Sequence, residues 1–146
     1  MFSKETYYGT FQCIGGGGRI ILLWCRLVHG FGAVWYMVLS GPWMAASGVP
    51  QDADGKPLNA SNPRPYILSA VSAVLVAGMM RHVLAASDVT SVSDGAIAGF
   101  GIGAFLIVPW MMMNNEFGDK PLQLTVIDGG YAVIGCTLMG TVLMLF

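Results

Sequence analysis

The chain has 146 residues, of which 55% are hydrophobic and 10% are charged, whereas soluble domains carry about 25% charged residues. A soluble domain of this length could not bury so much apolar surface, because small domains have a high ratio of surface to volume. The net charge of −1 argues against a nucleic-acid partner, and no basic cluster is present to bind anionic lipid headgroups. The composition therefore predicts a single-domain integral membrane protein.

The chain opens with a polar lead that contains four consecutive glycines at 15–18. Such a run is unfavourable inside a helix, because glycine loses the most backbone freedom on folding. It is not a phosphate-binding loop, since no G-K-[ST] follows it. We predict a flexible joint within residues 1–18, a polar, glycine-rich N-terminal arm over residues 1–26 and a transmembrane domain over residues 27–146.

Four apolar segments follow the arm, and the third of them has no charge over nineteen residues. As a helix it would be roughly 28 Å long, against a hydrocarbon core of about 30 Å. A polar loop rich in Pro, Asn and Asp separates the first two segments. The pattern predicts an all-α fold, an integral membrane four-helix bundle with up-down topology. The predicted spans are about 27–46, 66–86, 95–113 and 122–146.

Two sets of residues in these spans predict helix packing. Gly95, Gly99 and Gly103 recur every fourth residue of the third span, where they let a second backbone approach closely. Trp35 and Tyr36 fall near the middle of the first span, so the Tyr36 hydroxyl needs a hydrogen-bond partner. The aromatic pair either packs between helices or lines a small-molecule cavity.

A group of titratable residues is predicted to meet at the membrane face that holds the N-terminus. One interpretation is snorkelling side chains and ion pairs at helix ends. A second is an ionisable pocket in which Arg26 or Arg81 meets Asp94. A third is haem or chlorophyll ligation, which two lone histidines support only weakly. The group comprises Arg26, His29, Arg81, His82 and Asp94.

The opposite face collects a candidate polar pocket, which we predict to contain Asn114, Asn115, Asp128 and Tyr131. A carboxylate in hydrocarbon is costly, so Asp128 should face protein or a water-filled cleft. It either caps its own helix or pairs with Lys120, or it serves as a proton or cation ligand beside Tyr131.

The sequence offers no pattern typical of an enzyme. No nucleophile and base are paired, and no metal-ligand spacing is present. Cys13, Cys25 and Cys136 are odd in number and widely separated, which argues against a disulfide framework or a metal site. We predict no catalytic residue, no metal and no cofactor other than bound lipid.

Two stretches carry a family resemblance: GFGAVWYMVLSGPWMAASG at 30–48 and NNEFGDKPLQLTVIDGGY at 114–131. They resemble the domain of unknown function 1761 family, whose members are small bacterial inner-membrane proteins. The resemblance covers about residues 27–146. It implies a multi-pass four-helix protein of the bacterial inner membrane and brings no established activity. The arm is a departure, because the first helix of the family opens with an unbroken apolar run.

Two functions are compatible with these features. The first is a non-enzymatic association role, either with itself or as an accessory subunit of a respiratory or photosynthetic membrane complex. The glycine face of the third span and the arm motivate this role. The alternative is a small transporter or ligand-binding membrane protein with a polar cavity near Asp128.

Overall fold

The computed structural model describes residues 30–58 and 61–145. Regular structure in these ranges is helical, apart from an isolated bridge between Gln51 and Pro57 in the loop after the second helix. Residues 30–38 are helical and are labelled α1. The remaining helices are α2 (Ser40–Ser47), α3 (Arg64–Ala86), α4 (Val92–Gly101), α5 (Val108–Phe117) and α6 (Leu122–Leu143), with a π-helical turn at Ile102–Ile107 between α4 and α5.

Several predictions made from the sequence lie outside the described residues. They are the N-terminal arm over 1–26, the first three residues of the predicted first span, and the candidate site residues Arg26 and His29.

Three helical rods in the described ranges are long and apolar enough to cross a membrane. Large apolar side chains point outward from them, such as Leu75 at 68% and Phe105 at 78% exposure. Water would oppose that exposure, whereas acyl chains solvate it. The rods are Arg64–Ala86, Val92–Phe117 and Leu122–Leu143, with mean hydropathies of 1.8, 1.9 and 1.5.

Helices α1 and α2 are two parts of one bent helix. Leu39, between them, has φ −99° and ψ 15°. The backbone bonds nevertheless continue, from Leu39 N–H to the Trp35 carbonyl at 3.0 Å and from Trp43 N–H to the Leu39 carbonyl at 2.9 Å. Pro42 has no N–H to donate one turn back, which explains the bend at this point.

Helix α6 is the centre of the molecule, with 39% of its most apolar stretch buried against 11% for the other two rods. Helix α4 lies against it in backbone contact. A Cβ added at Gly95 would lie 2.6 Å from the Gly140 carbonyl oxygen, and one at Gly99 would overlap the carbonyl of Cys136. Glycine is therefore required for this approach. The glycines on this face of the rod are Gly95, Gly99 and Gly103.

Helix α3 contacts the rest of the molecule mainly through its C-terminal half. Its buried residues are Met80 and Leu84, which join a core with Cys136, Met139 and Leu143 of α6. The N-terminal half of α3 has no buried residue. That half therefore leaves room for a cleft beside α6.

Candidate functional site

The site centres on Asp128, a half-buried carboxylate in α6. It lies about 9 Å along the helix from Leu122, at 1.5 Å per residue. Its Oδ1 accepts two hydrogen bonds, from the Tyr36 hydroxyl at 2.9 Å and from the Trp43 indole N–H at 3.0 Å. Its Oδ2 accepts none from the residues that the structure describes.

The two donors come from opposite sides of the bend in the α1–α2 helix. Tyr36 and Trp43 are seven residues apart, a spacing that places them on one helical face. Trp35 docks on the same part of α6, because its indole N–H donates to the Ile127 carbonyl at 3.1 Å. Its ring also lies against Gly130, where an added Cβ would be 3.0 Å from a ring carbon.

Ring contacts fix the aromatic side chains around the carboxylate. Tyr131 stacks on Phe31 with ring centroids 5.9 Å apart and 7° between the planes. The Tyr131 ring also contacts the Tyr36 ring, with centroids 5.3 Å apart. Trp43 meets Tyr36 edge-on at 5.7 Å. We call the set Phe31, Trp35, Tyr36, Trp43 and Tyr131 the aromatic cluster.

A cleft of about 390 Å³ opens beside Asp128, between the N-terminal half of α3 and helix α6. We call it the Asp128 cleft. Hydroxyl groups line part of it, from Ser69 and Ser72 of α3 and from two tyrosines of the aromatic cluster. The rest of the lining is mostly apolar, and it includes Val76, Ile107, Met111, Ala132 and Met139.

The structure brings two of the four predicted pocket residues together in the cleft, namely Asp128 and Tyr131. Asn114 instead lines a separate hollow of about 400 Å³ with Leu106 and Trp110. The Asn115 side-chain amide donates to the Thr125 hydroxyl at 2.9 Å, which joins the end of α5 to the start of α6.

Asp128 neither caps its helix nor binds Lys120 in the described structure. Pro121 precedes the first residue of α6. The Lys120 ammonium donates to the Ser47 carbonyl at 2.9 Å, at the C-terminal end of α2. A cation at that position satisfies a carbonyl that has no partner within the helix.

The described members of the other predicted cluster lie at the end of α3 and the start of α4. His82 and Asp94 are exposed, and Arg81 lies in the same part of α3 as His82. Asp94 takes part in a helix cap, in which the Ser91 hydroxyl accepts from the Asp94 N–H at 3.0 Å and contacts the Asp94 carboxylate at 2.6 Å. This arrangement stabilises the start of α4.

Sequence reasoning did not assign Trp43 to the site. The available signal was the seven-residue spacing of Tyr36 and Trp43. That spacing puts two hydrogen-bond donors on one face of the first predicted span. The last predicted span holds an acid, which needs such donors inside a membrane.

These features define an all-helical membrane protein with a carboxylate held inside its helix packing. The chain belongs to a protein family of unknown function, DUF1761, whose model matches residues 21–144. The family description assigns no activity. No curated protein and no solved structure matches the chain.

Proposed function

We propose that this chain is a multi-pass protein of the bacterial inner membrane that binds a small ligand in the Asp128 cleft. It acts as a small transporter or binding protein and not as an enzyme. In this proposal the bent α1–α2 helix is a fourth span, and the four spans form an up-down bundle. The contacts of the aromatic cluster with α6 support that assignment of the fourth span.

The observation that carries the proposal is the position of the Asp128 carboxylate, which is hydrogen-bonded through one oxygen and borders the cleft. A carboxylate is expensive to place in a membrane span and marks a functional position by default. Two donors hold Oδ1, while Asp128 also lines the cleft. The cleft measures about 390 Å³, which is within the size range of small-molecule sites.

The association role is the second candidate, and the geometry supports it less. One of its two motives was the glycine face of the third span; the other, the N-terminal arm, lies outside the described residues. Helix α6 of the same chain occupies that face, as the contacts of Gly95 and Gly99 show. The face is therefore not available to another subunit while α4 and α6 are packed together.

Thiol accessibility tests whether the cleft is open to water. A single cysteine is introduced at Ser72, which lines the cleft, after the three native cysteines are replaced by alanine. The matched control places the cysteine at Val71, the preceding residue on α3, which is 51% exposed but does not line the cleft. Both variants are treated in membranes with a charged methanethiosulfonate reagent, and modification is measured by mass spectrometry.

We expect the Ser72→Cys variant to react and the Val71→Cys variant, which faces acyl chains in this proposal, to remain unmodified. Equal protection of both positions would mean that lipid or protein fills the cleft. That result would overturn a ligand-binding function for the cleft.

A further inference from the structure

We infer that the ligand of the Asp128 cleft is a small organic cation, in which a positively charged nitrogen is attached to an apolar body. This inference rests on the proposed function and adds the class of ligand. It assigns Asp128 as the counterion and the rings of Tyr36 and Tyr131 as the surfaces that contact the charged nitrogen.

The charge of the cleft lining is the first reason for assigning a cationic ligand. Among the described residues that line the cleft, Asp128 is the one charged side chain, and no Lys, Arg or His is present. An anionic ligand would meet this carboxylate without a compensating cation and is disfavoured. The second carboxylate oxygen, Oδ2, has no donor among the described residues. A positively charged group in the cleft would neutralise the carboxylate from the Oδ2 side.

The aromatic walls are the second reason. Tyr36 and Tyr131 both line the cleft, and their ring centroids are 5.3 Å apart. A cation over the face of a tyrosine ring is attracted by the ring quadrupole, and more strongly where water is excluded. Phe31 stacks on one face of the Tyr131 ring, and Trp43 contacts the Tyr36 ring edge-on. The rings are therefore pre-organised before a ligand binds.

The remaining lining decides between an organic cation and a metal ion. Hard metal ions require several oxygen ligands in one shell. The cleft instead offers a single carboxylate, neutral hydroxyl groups and mostly apolar side chains, such as Val76, Ile107 and Met111. These side chains fit the hydrocarbon part of an amine or a quaternary ammonium ion, because apolar surface is buried there.

The experiment uses the whole protein in nanodiscs of zwitterionic phosphatidylcholine. The probe is phenyltrimethylammonium, a permanent cation, and its neutral isostere is tert-butylbenzene. Binding is measured by equilibrium dialysis, and empty nanodiscs of the same lipid correct for partitioning. We expect saturable binding of the cation and no saturable binding of the isostere.

Variants then locate the binding site. Asp128→Asn keeps an oxygen acceptor for Tyr36 and Trp43, so we expect a folded protein whose affinity for the cation is at least about tenfold weaker. Glu116→Gln removes an exposed acid outside the cleft, and it should leave the affinity unchanged. Tyr131→Phe keeps the ring and should bind as the native protein does, whereas Tyr131→Leu should bind more weakly.

Three results would overturn the inference: no saturable binding of the cation, equal binding of the cation and tert-butylbenzene, or unchanged binding in Asp128→Asn. Each of these is distinguishable from failure of the proposed function. If the Ser72→Cys variant is modified by the charged reagent, the cleft is open, and only the class of ligand assigned here is wrong.

Discussion

The two sides of α6 pack in opposite ways. On the α4 side, a Cβ on Gly95 would lie 2.6 Å from the backbone of Gly140, so the two helices are in direct backbone contact. On the α3 side, contact is made mainly by the half of α3 that carries Met80 and Leu84. The other half of α3 stands beside a cleft of about 390 Å³.

This difference teaches how a short membrane protein combines a close helix contact with an open cleft. Helices in lipid gain no hydrophobic driving force from association, so close packing of small residues has to hold them together. The α4–α6 contact provides that close packing. The α3 side is packed less closely, and the carboxylate lies on that side.

The tight side should be the most sensitive to substitution. Gly99→Ala places a methyl group on the Cys136 carbonyl, and the backbone there cannot rotate away. We expect a loss of about 3 kcal/mol in the free energy of unfolding, at the upper end for an overpacked core. Titration with SDS in mixed micelles, followed by circular dichroism, measures this change.

Gly101→Ala is the matched control, since a Cβ there meets nothing within 4 Å. Alanine should leave the protein as stable as before or raise its stability by up to about 1 kcal/mol through helix propensity. Equal losses in both variants would show that the glycine face does not form the close contact.

The carboxylate on the open side should be the next most sensitive position. Asp128→Ala leaves the Tyr36 hydroxyl and the Trp43 N–H without their acceptor. We expect a loss of about 2 kcal/mol, because half-buried donors lose their partner. Asp128→Asn retains an acceptor oxygen and should lose less than half as much in the same titration. If the two variants were equally destabilised, the charge would outweigh the hydrogen bonds in stability.

The hydrogen bond from the Lys120 ammonium to the Ser47 carbonyl, at the end of α2, should contribute least to the free energy of unfolding. Lys120→Met removes the hydrogen bond to the Ser47 carbonyl, and an exposed bond of this kind contributes less than about 1 kcal/mol. Hydrogen exchange measured by mass spectrometry should show faster exchange at the C-terminal end of α2. Lys56→Met, in the loop after α2, is the control and should not change hydrogen exchange at the end of α2. An equal effect of both variants would show that the Lys120–Ser47 hydrogen bond does not stabilise this end.

Much of the helical architecture could be predicted from the sequence, because apolar runs bounded by Pro, Asn and Asp indicate long helices. The sequence also singled out Asp128, since an acid inside such a run is conspicuous. The partners of that acid were harder to predict. Tyr36 and Trp43 precede Asp128 by 92 and 85 residues, and the register between distant helices depends on packing that local patterns do not encode.

The two adjacent asparagines show the same limit of sequence-based prediction. Asn114 and Asn115 are adjacent in sequence to the connection between α5 and α6, so the sequence grouped both with Asp128. Successive residues on a helix point about 100° apart. One therefore faces Thr125, and the other lines the hollow with Trp110.

The π-helical turn between α4 and α5 has a consequence for helix phase. In a regular α-helix, positions spaced by four residues drift by about 40° per step. From Gly95 to Met111 that drift would reach about 160°, and Met111 would be directed away from α6. The wider π-helical turn offsets part of this rotation, so the glycines face α6 while Met111 lines the cleft beside it. The number of residues in that turn therefore selects which side chains of α5 line the cleft, independently of the sequence of α5 itself.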